Sequence, residues 1–173
     1  MDTQLLSLAI TLALIAVAFG LIWLGWRNRL KRQSDVEQLP PVPAAPGEPL
    51  AVAEGQYIAT TTGGDWLDRI AVHGLGIRTT STLAVYPHGV LFDRSGAQAL
   101  YIPAASLGGV RQDSGMAGKF VEKDGLLVVT WVLGSHELDT GFRTRRAADK
   151  DVLFTALQQL ISSAPAADAN SGK

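Results

Sequence analysis

Apolar positions fall along this chain in three different rhythms. From Leu5 to Trp26, "LLSLAITLALIAVAFGLIWLGW" runs for 22 residues without a charge. As a helix that stretch would be about 33 Å long, enough to cross a hydrocarbon core of roughly 30 Å. After residue 50 the apolar runs become short and are punctuated by Gly, Pro, Asp and Ser, which predicts strands and turns. Over 147–162, "AADKDVLFTALQQLIS", the rhythm changes again. Leu153, Leu157, Leu160 and Ile161 fall on one stripe of a helix. Asp149 and Asp151 sit in its first turn, where the helix dipole favours acids.

The middle region can be resolved further. "GQYIATTT" (55–62) reads as a strand, and "GIRTTSTLAVYP" (76–87) leads straight into "GVLFDR" (89–94). Pro87-His88-Gly89 supplies the chemistry of a hairpin turn between them. "AQALYIP" (97–103) and "LGGVRQD" (107–113) are further strands, and a short one is expected near Phe120. "LLVVTWVL" (126–133) is strongly β-forming, and Gly134-Ser135 separates it from "HELDTGFRT" (136–144). Polar or small residues lie between Leu138 and Phe142, so one face of that last strand is expected to be solvated. The fold class expected is mainly β: six to seven antiparallel strands in a bent barrel or sandwich, capped by one C-terminal helix that must bury its stripe against the sheet.

Residues 34–50, "SDVEQLPPVPAAPGEPL", contain five prolines and predict an extended, semi-rigid spacer. The expected organisation is a short outer N-terminus (1–4), a transmembrane helix (5–26), a basic junction and Pro-rich linker (27–50), a β domain with its helix (51–163) and a disordered tail (164–173).

Charge fixes the orientation. Arg27, Arg29, Lys31 and Arg32 follow the apolar run at once. A cleaved signal peptide would place its positive charges before a shorter apolar core. Here the start is "MDTQ", so an uncleaved signal anchor is expected. By the positive-inside rule the basic end is cytoplasmic. The protein is therefore expected in the cell membrane, single-pass, N-terminus outside and C-terminal domain in the cytoplasm. Trp23, Trp26 and the four basic residues form the expected membrane interface with the lipid bilayer. Ala9, Ala13, Ala16 and Gly20 share one side of the helix, a candidate surface for weak homodimer contact.

Beyond residue 32 there are eleven Lys and Arg against fifteen acids, a net charge near −4. Such a body is a poor partner for nucleic acid. There is no cysteine, which excludes disulfides and thiolate chemistry. The three histidines are scattered without ligand spacing. "SGMAGKF" lacks the first Gly and the final Ser or Thr of a phosphate loop, and no nucleophile elbow occurs. No cofactor, metal or catalytic group is expected. Asp65 and Asp68 flank Trp66 in "GDWLDR"; the expectation is a solvated loop with Trp66 packed into the barrel. Arg143, Arg145, Arg146 and Lys150 form the dense basic group of the body, either an anion contact or a rim balanced by Asp149 and Asp151.

The order of elements resembles the pleckstrin-homology superfold, a seven-strand bent barrel with a C-terminal capping helix. The whole chain is similar to small actinobacterial single-pass membrane proteins with a bacterial PH-like domain, often labelled transport or export proteins. The segments that carry this are "EGQYIATT", "TLAVYPHGVLFDR", "ALYIPAASLGGVR" and "LLVVTWVLGSHELDTGFR". The resemblance implies a module that binds lipids, peptides or proteins. The loop "TTGGDWLDR" departs from the basic pattern of phosphoinositide binders. The resulting expectation is a non-enzymatic interaction or scaffolding module at the cytoplasmic face, with an unidentified membrane or cytoplasmic protein as partner. The alternative is an accessory subunit of a transport or export complex.

Overall fold

The computed structural model describes residues 3–32 and 36–164, and the chain falls into two units, Met1–Asp35 and Val36–Lys173. The expected tail lies beyond Ala164 and outside the described residues. So do Met1 and Asp2, and the side chains of Trp26, Arg29, Lys31 and Arg32.

The first unit is one helix, α1 (Thr3–Arg32). Ala and Leu dominate it, and both are strong helix formers. Its described large apolar side chains are all exposed, from 47% at Ile15 to 68% at Phe19 and Ile22. Ser7 Oγ donates to the Gln4 carbonyl at 2.9 Å and Thr11 Oγ1 to the Ser7 carbonyl at 2.8 Å. The helix thus satisfies its own hydroxyls, as an apolar surrounding would demand.

The second unit holds β1 (Ala51–Thr62), β2 (Asp65–Arg69), β3 (Thr79–Tyr86), β4 (Gly89–Arg94), β5 (Leu100–Pro103), β6 (Leu107–Asp113), β7 (Gly115–Met116), β8 (Lys119–Phe120), β9 (Leu126–Leu133) and β10 (His136–Thr144), then α2 (Ala147–Ser163). Seven strands form one antiparallel path, β5-β4-β3-β1-β10-β9-β6. The hairpins expected at Pro87-His88 and Gly134-Ser135 are present, with Tyr86 opposite Gly89 and Leu133 opposite His136. The end strands β5 and β6 are joined by a 3-10 turn, Ala104–Ser106, and leave the sheet open between them.

Three strands stand outside that path. β2 pairs with β1 as an eighth strand, and β7 and β8 form a separate hairpin. The seven-strand expectation is met by the path itself, and the additions are insertions between β1 and β3 and between β6 and β9.

Side chains from the concave face and α2 fill one core. Trp131, Tyr57, Phe92 and Phe142 are fully buried, with Phe92 edge-on to Tyr57 and Phe142 at 5.9 and 6.0 Å between ring centroids. α2 contributes Leu153, Ala156, Leu157 and Leu160, while Ile161 packs half-buried at the edge.

Two expectations are corrected here. Val36 and Leu39 are buried in this core at 7% and 8% exposure, and Leu50 N–H bonds to the Val85 carbonyl at 2.7 Å. The proline-rich stretch has no regular structure, but it is pinned to the domain at both ends. Proline sets an extended backbone, and extended backbone can still seat side chains. The second correction concerns β10. It is buried on both faces from Leu138 to Phe142, because Met116 of β7 covers Gly141 and Arg111 of β6 reaches over Asp139 on its outer side.

Candidate functional site

Three regions carry the residues of interest. On α1, Ala9, Ala13, Ala16 and Gly20 lie at helical spacing, and a Cβ placed at Gly20 would meet nothing within 4 Å. The Arg27 guanidinium sits 5.3 Å over the Trp23 ring, a cation–π pair at the end of the apolar run.

The second region is a groove of about 810 Å3 on the outer face of the domain. Its floor is the hydroxyl and amide row Gln56, Thr80 and Thr82, which the outward register of β1 and β3 places side by side. β10, the first turn of α2 and the loop 122–125 form its walls. Three of the four basic residues singled out above, Arg143, Arg145 and Lys150, meet here. Arg143 makes a forked contact with Glu122 at 2.8 and 3.1 Å, and Arg145 reaches Glu54 at 3.4 Å. Lys150 Nζ donates to the Asp124 carbonyl at 2.8 Å. A hydrogen bond from its own backbone and the Arg143 guanidinium hold the Glu122 carboxyl below the ordinary value. Arg146 turns away to Asp149, with both contacts at 2.9 Å, and lines a smaller adjoining pocket. The balancing acids are thus Glu122, Glu54 and Asp149. Of the two expected from the sequence, only Asp149 takes part in these pairs.

The third region is where the two insertions meet. Ala117 (φ +53) and Gly118 (φ +74) give β7 and β8 the two left-handed residues a type I′ hairpin requires. The hairpin lays Met116 over the outer sheet face, where it joins Ile58, Leu126 and Val128 in a satellite core. Gly141 lets Met116 lie close to the strand: a Cβ there would stand 2.4 Å from Met116 Sδ and push that side chain aside. The far side of this flap reaches the β1–β2 hairpin. Ala117 N–H donates to the Trp66 carbonyl at 2.8 Å, and Arg69 Nη2 to the Ala117 carbonyl at 3.0 Å. Trp66 is 39% exposed and stacks obliquely on Phe120, with 5.7 Å between centroids. The expectation that Trp66 enters the barrel is therefore overturned. Its partner comes from an insertion more than fifty residues away, which no local pattern signals.

Interior polar groups also escaped the sequence reading. Arg94 is 2% exposed and gives its protons to three carbonyls: Gln98 at 2.7 Å, Gly74 at 2.8 Å and His73 at 3.3 Å. Its guanidinium lies 4.8 Å over the Tyr57 ring. Tyr57 O–H donates to the Leu75 carbonyl at 2.8 Å and touches Thr60, which touches Thr140, which accepts from Trp131 Nε1. The indole can only donate and the carbonyl only accept, so each hydroxyl in the row gives one proton and takes one. Burial pushes the Tyr57 phenol up to about 12, against the smaller opposing pulls of Thr60 and Arg94. On the outer face, burial disfavours the charge of Asp139. Forked hydrogen bonds from Arg111 at 2.9 and 3.0 Å and one from Thr130 at 2.6 Å outweigh it and hold the carboxyl low. These groups are fully engaged in holding strands together. Among the described residues no group of His, Asp and Glu is arranged to hold a metal.

Comparison with known proteins agrees with this architecture. A family model described as Bacterial PH domain-like matches residues 36–158. No curated protein matches the chain. Among solved structures, a chain of the 8S snRNP assembly intermediate aligns with a TM-score of 0.50 at 10% identity, covering 78% of this chain and 97% of that one. An allosterically inhibited Vav1 aligns at 0.41 and 18% identity, covering 79% of this chain and 32% of Vav1. The C-terminal domain of an unknown protein from Leishmania infantum aligns at 0.40 and 12% identity, covering 81% and 98%. At these identities the first likeness speaks to fold alone, and the other two carry no argument. The family match starts at Val36, where burial also begins, and spans the full strand path and most of α2. The chain belongs to the Bacterial PH domain-like family.

Proposed function

We propose that this protein is a non-enzymatic, membrane-tethered interaction module. In this reading α1 is a single-pass anchor with its N-terminus outside, and the PH-like domain works at the cytoplasmic face. The observation that carries it is the stretch Ser7–Gly25, with a mean hydropathy of 2.5 and none of it buried. A soluble monomer rarely leaves an apolar surface of that extent in water. The basic run Arg27, Arg29, Lys31 and Arg32 then sets the polarity.

The groove is the surface best suited to a protein partner. Its walls carry both signs of charge, in pairs that are exposed and therefore cheap to exchange for a partner's charges. Its floor offers hydroxyls and an amide for a polar segment. Tethering raises the local concentration of the domain for any partner at the same membrane. The net negative body argues against nucleic acid, and Asp65 and Asp68 in the β1–β2 hairpin argue against phosphoinositides.

Membrane fractionation tests the tether. Alkaline carbonate should leave the full chain in the membrane pellet, and deletion of residues 1–26 should move it to the supernatant. Recovery of the full chain as a soluble protein would refute the reading. A photo-crosslinking residue at Thr82 should capture one discrete adduct in cells, and the same residue at Thr155 on α2 should not.

A further inference from the structure

Strand register gives the floor of the groove an order along its length. β1, β3 and β4 lie side by side, and their outward residues fall into rows. In the first row Gln56 stands opposite Thr80, and Ser95 N–H bonds to the Thr80 carbonyl at 2.9 Å. In the next, Glu54 is opposite Thr82 and Thr82 is opposite Asp93. The row after that is Val52, Ala84 and Leu91. Chemistry therefore changes along the strands from hydroxyl and amide, through carboxylate, to apolar. Val52 is 50% exposed and also lines the adjoining pocket, so the apolar row is an open shelf at one end of the groove.

Charge is divided across the groove. Asp93 stands on the β4 side, whereas Arg143, Lys123 and Lys150 stand on the side of β10, the 122–125 loop and α2. Glu122 is the acid that lines the groove beside those three cations, and it already takes the fork from Arg143. Lys150 donates to the Asp124 carbonyl, a neutral acceptor. Lys123 is exposed and makes no hydrogen bond or ion pair among the described residues. Arg145 and Glu54 balance each other. The backbone that carries Lys123 is fixed, with Gly125 N–H on the Glu122 carbonyl at 3.0 Å and Asp124 N–H on Ser114 Oγ at 2.9 Å. This wall holds positive charge in excess, set in place by the fold, and a partner that complements it is acidic.

We infer that the groove receives an extended peptide segment of a partner protein, with an acidic side chain against the Lys123–Lys150 wall and an aliphatic side chain on the Val52–Leu91 shelf. The shelf begins at Val52, and Gln56, opposite Arg143, is four residues on, a separation of about 13 Å. An extended chain alternates its side chains, so residues four apart face the same way at that same spacing. The segment thus carries its aliphatic and acidic residues four positions apart. Asp93 on the far side repels further negative charge, which selects one carboxylate over a polyanion. This inference rests on the reading of the groove as the partner surface.

The test pans a displayed random dodecapeptide library against the full chain in an uncharged detergent, beside its Lys123→Glu and Lys150→Gln variants. The unaltered chain should enrich Asp or Glu four positions from Leu, Ile or Val several-fold over the unselected library. Lys150→Gln should weaken that enrichment, and Lys123→Glu should abolish it or turn it toward Lys and Arg. Lys123→Glu removes no internal contact, so an unchanged urea midpoint separates lost recognition from lost folding. Basic or neutral sequences, no enrichment, or the same acidic sequences from both variants would overturn the inference. A selected peptide carrying a fluorophore should lose affinity several-fold when its acid is changed to the amide, and inositol hexakisphosphate at equal concentration should not displace it. Displacement would make the wall a phosphate site and overturn the peptide assignment. If Thr82 captures its adduct in cells while the selected peptides lack the acid, the groove remains the partner surface and this inference fails. If Thr82 captures nothing, the groove reading falls and takes the inference with it.

Discussion

α1 and α2 are both leucine-rich helices, and they treat their leucines in opposite ways. α2 hides Leu153, Leu157 and Leu160 under the sheet and shows water its polar side. α1 leaves Leu8, Leu12, Leu14, Leu21 and Leu24 about half exposed or more, on every side. α2 is completed by its own chain, whereas the leucines of α1 are left exposed. This asymmetry carries the functional reading. A stripe predicts an internal partner, and a helix apolar all round predicts a solvent other than water.

Matched substitutions should break the symmetry between the helices most visibly. Leu157→Ala removes a fully buried side chain and should lower domain stability by about 2–5 kcal/mol in urea titrations followed by Trp131 fluorescence. Leu14→Ala should leave the domain midpoint where it is. Equal effects would contradict the contrast between the two helices.

Alkaline titration sharpens the contrast from the domain's side. The Tyr57 phenol is raised to about 12 in the folded chain, against an ordinary 10.0. Its contribution is intact below pH 10 and is lost as pH climbs from there toward 12, because only the unfolded phenol ionises in that window. The loss should be on the order of 2 kcal/mol by linkage, and Tyr57→Phe should flatten the curve over the same range.

Arg94→Met asks whether a buried cation held by backbone carbonyls is structural. Three carbonyls would lose their donor, and stability should fall by about 1–3 kcal/mol. An unchanged midpoint would make Arg94 a candidate for some other role. At the small end, Arg143→Ala should leave the urea midpoint within error, since its pair with Glu122 is exposed. The groove then belongs with α1, among the surfaces that the fold does not need for itself.

Most of this division is written in local pattern. The charge-free run, the two-residue hairpins at Pro87-His88 and Gly134-Ser135 and the stripe of α2 each follow from spacing within a dozen residues. What could not be read depends on partners far away in the chain. Val36 and Leu39 look like linker because prolines follow, yet the core they enter is assembled from strands and a helix far along the chain. Trp66 looks like a core residue until Phe120 arrives from the second insertion to hold it outside. Arg94 ends an ordinary strand, and two of the three carbonyls that hold it come from the distant turn at His73 and Gly74. Of the candidate site, the basic residues were legible. Their arrangement around hydroxyls of β1 and β3 was not, because sheet register sets it.

The central claim is that the domain is tethered at the cytoplasmic face. It is tested most directly by a single cysteine at Thr155 and a maleimide that cannot cross membranes. In intact cells Thr155→Cys should stay unlabelled, and it should label fully once the membrane is permeabilised. Labelling in intact cells would place the domain outside and contradict the account.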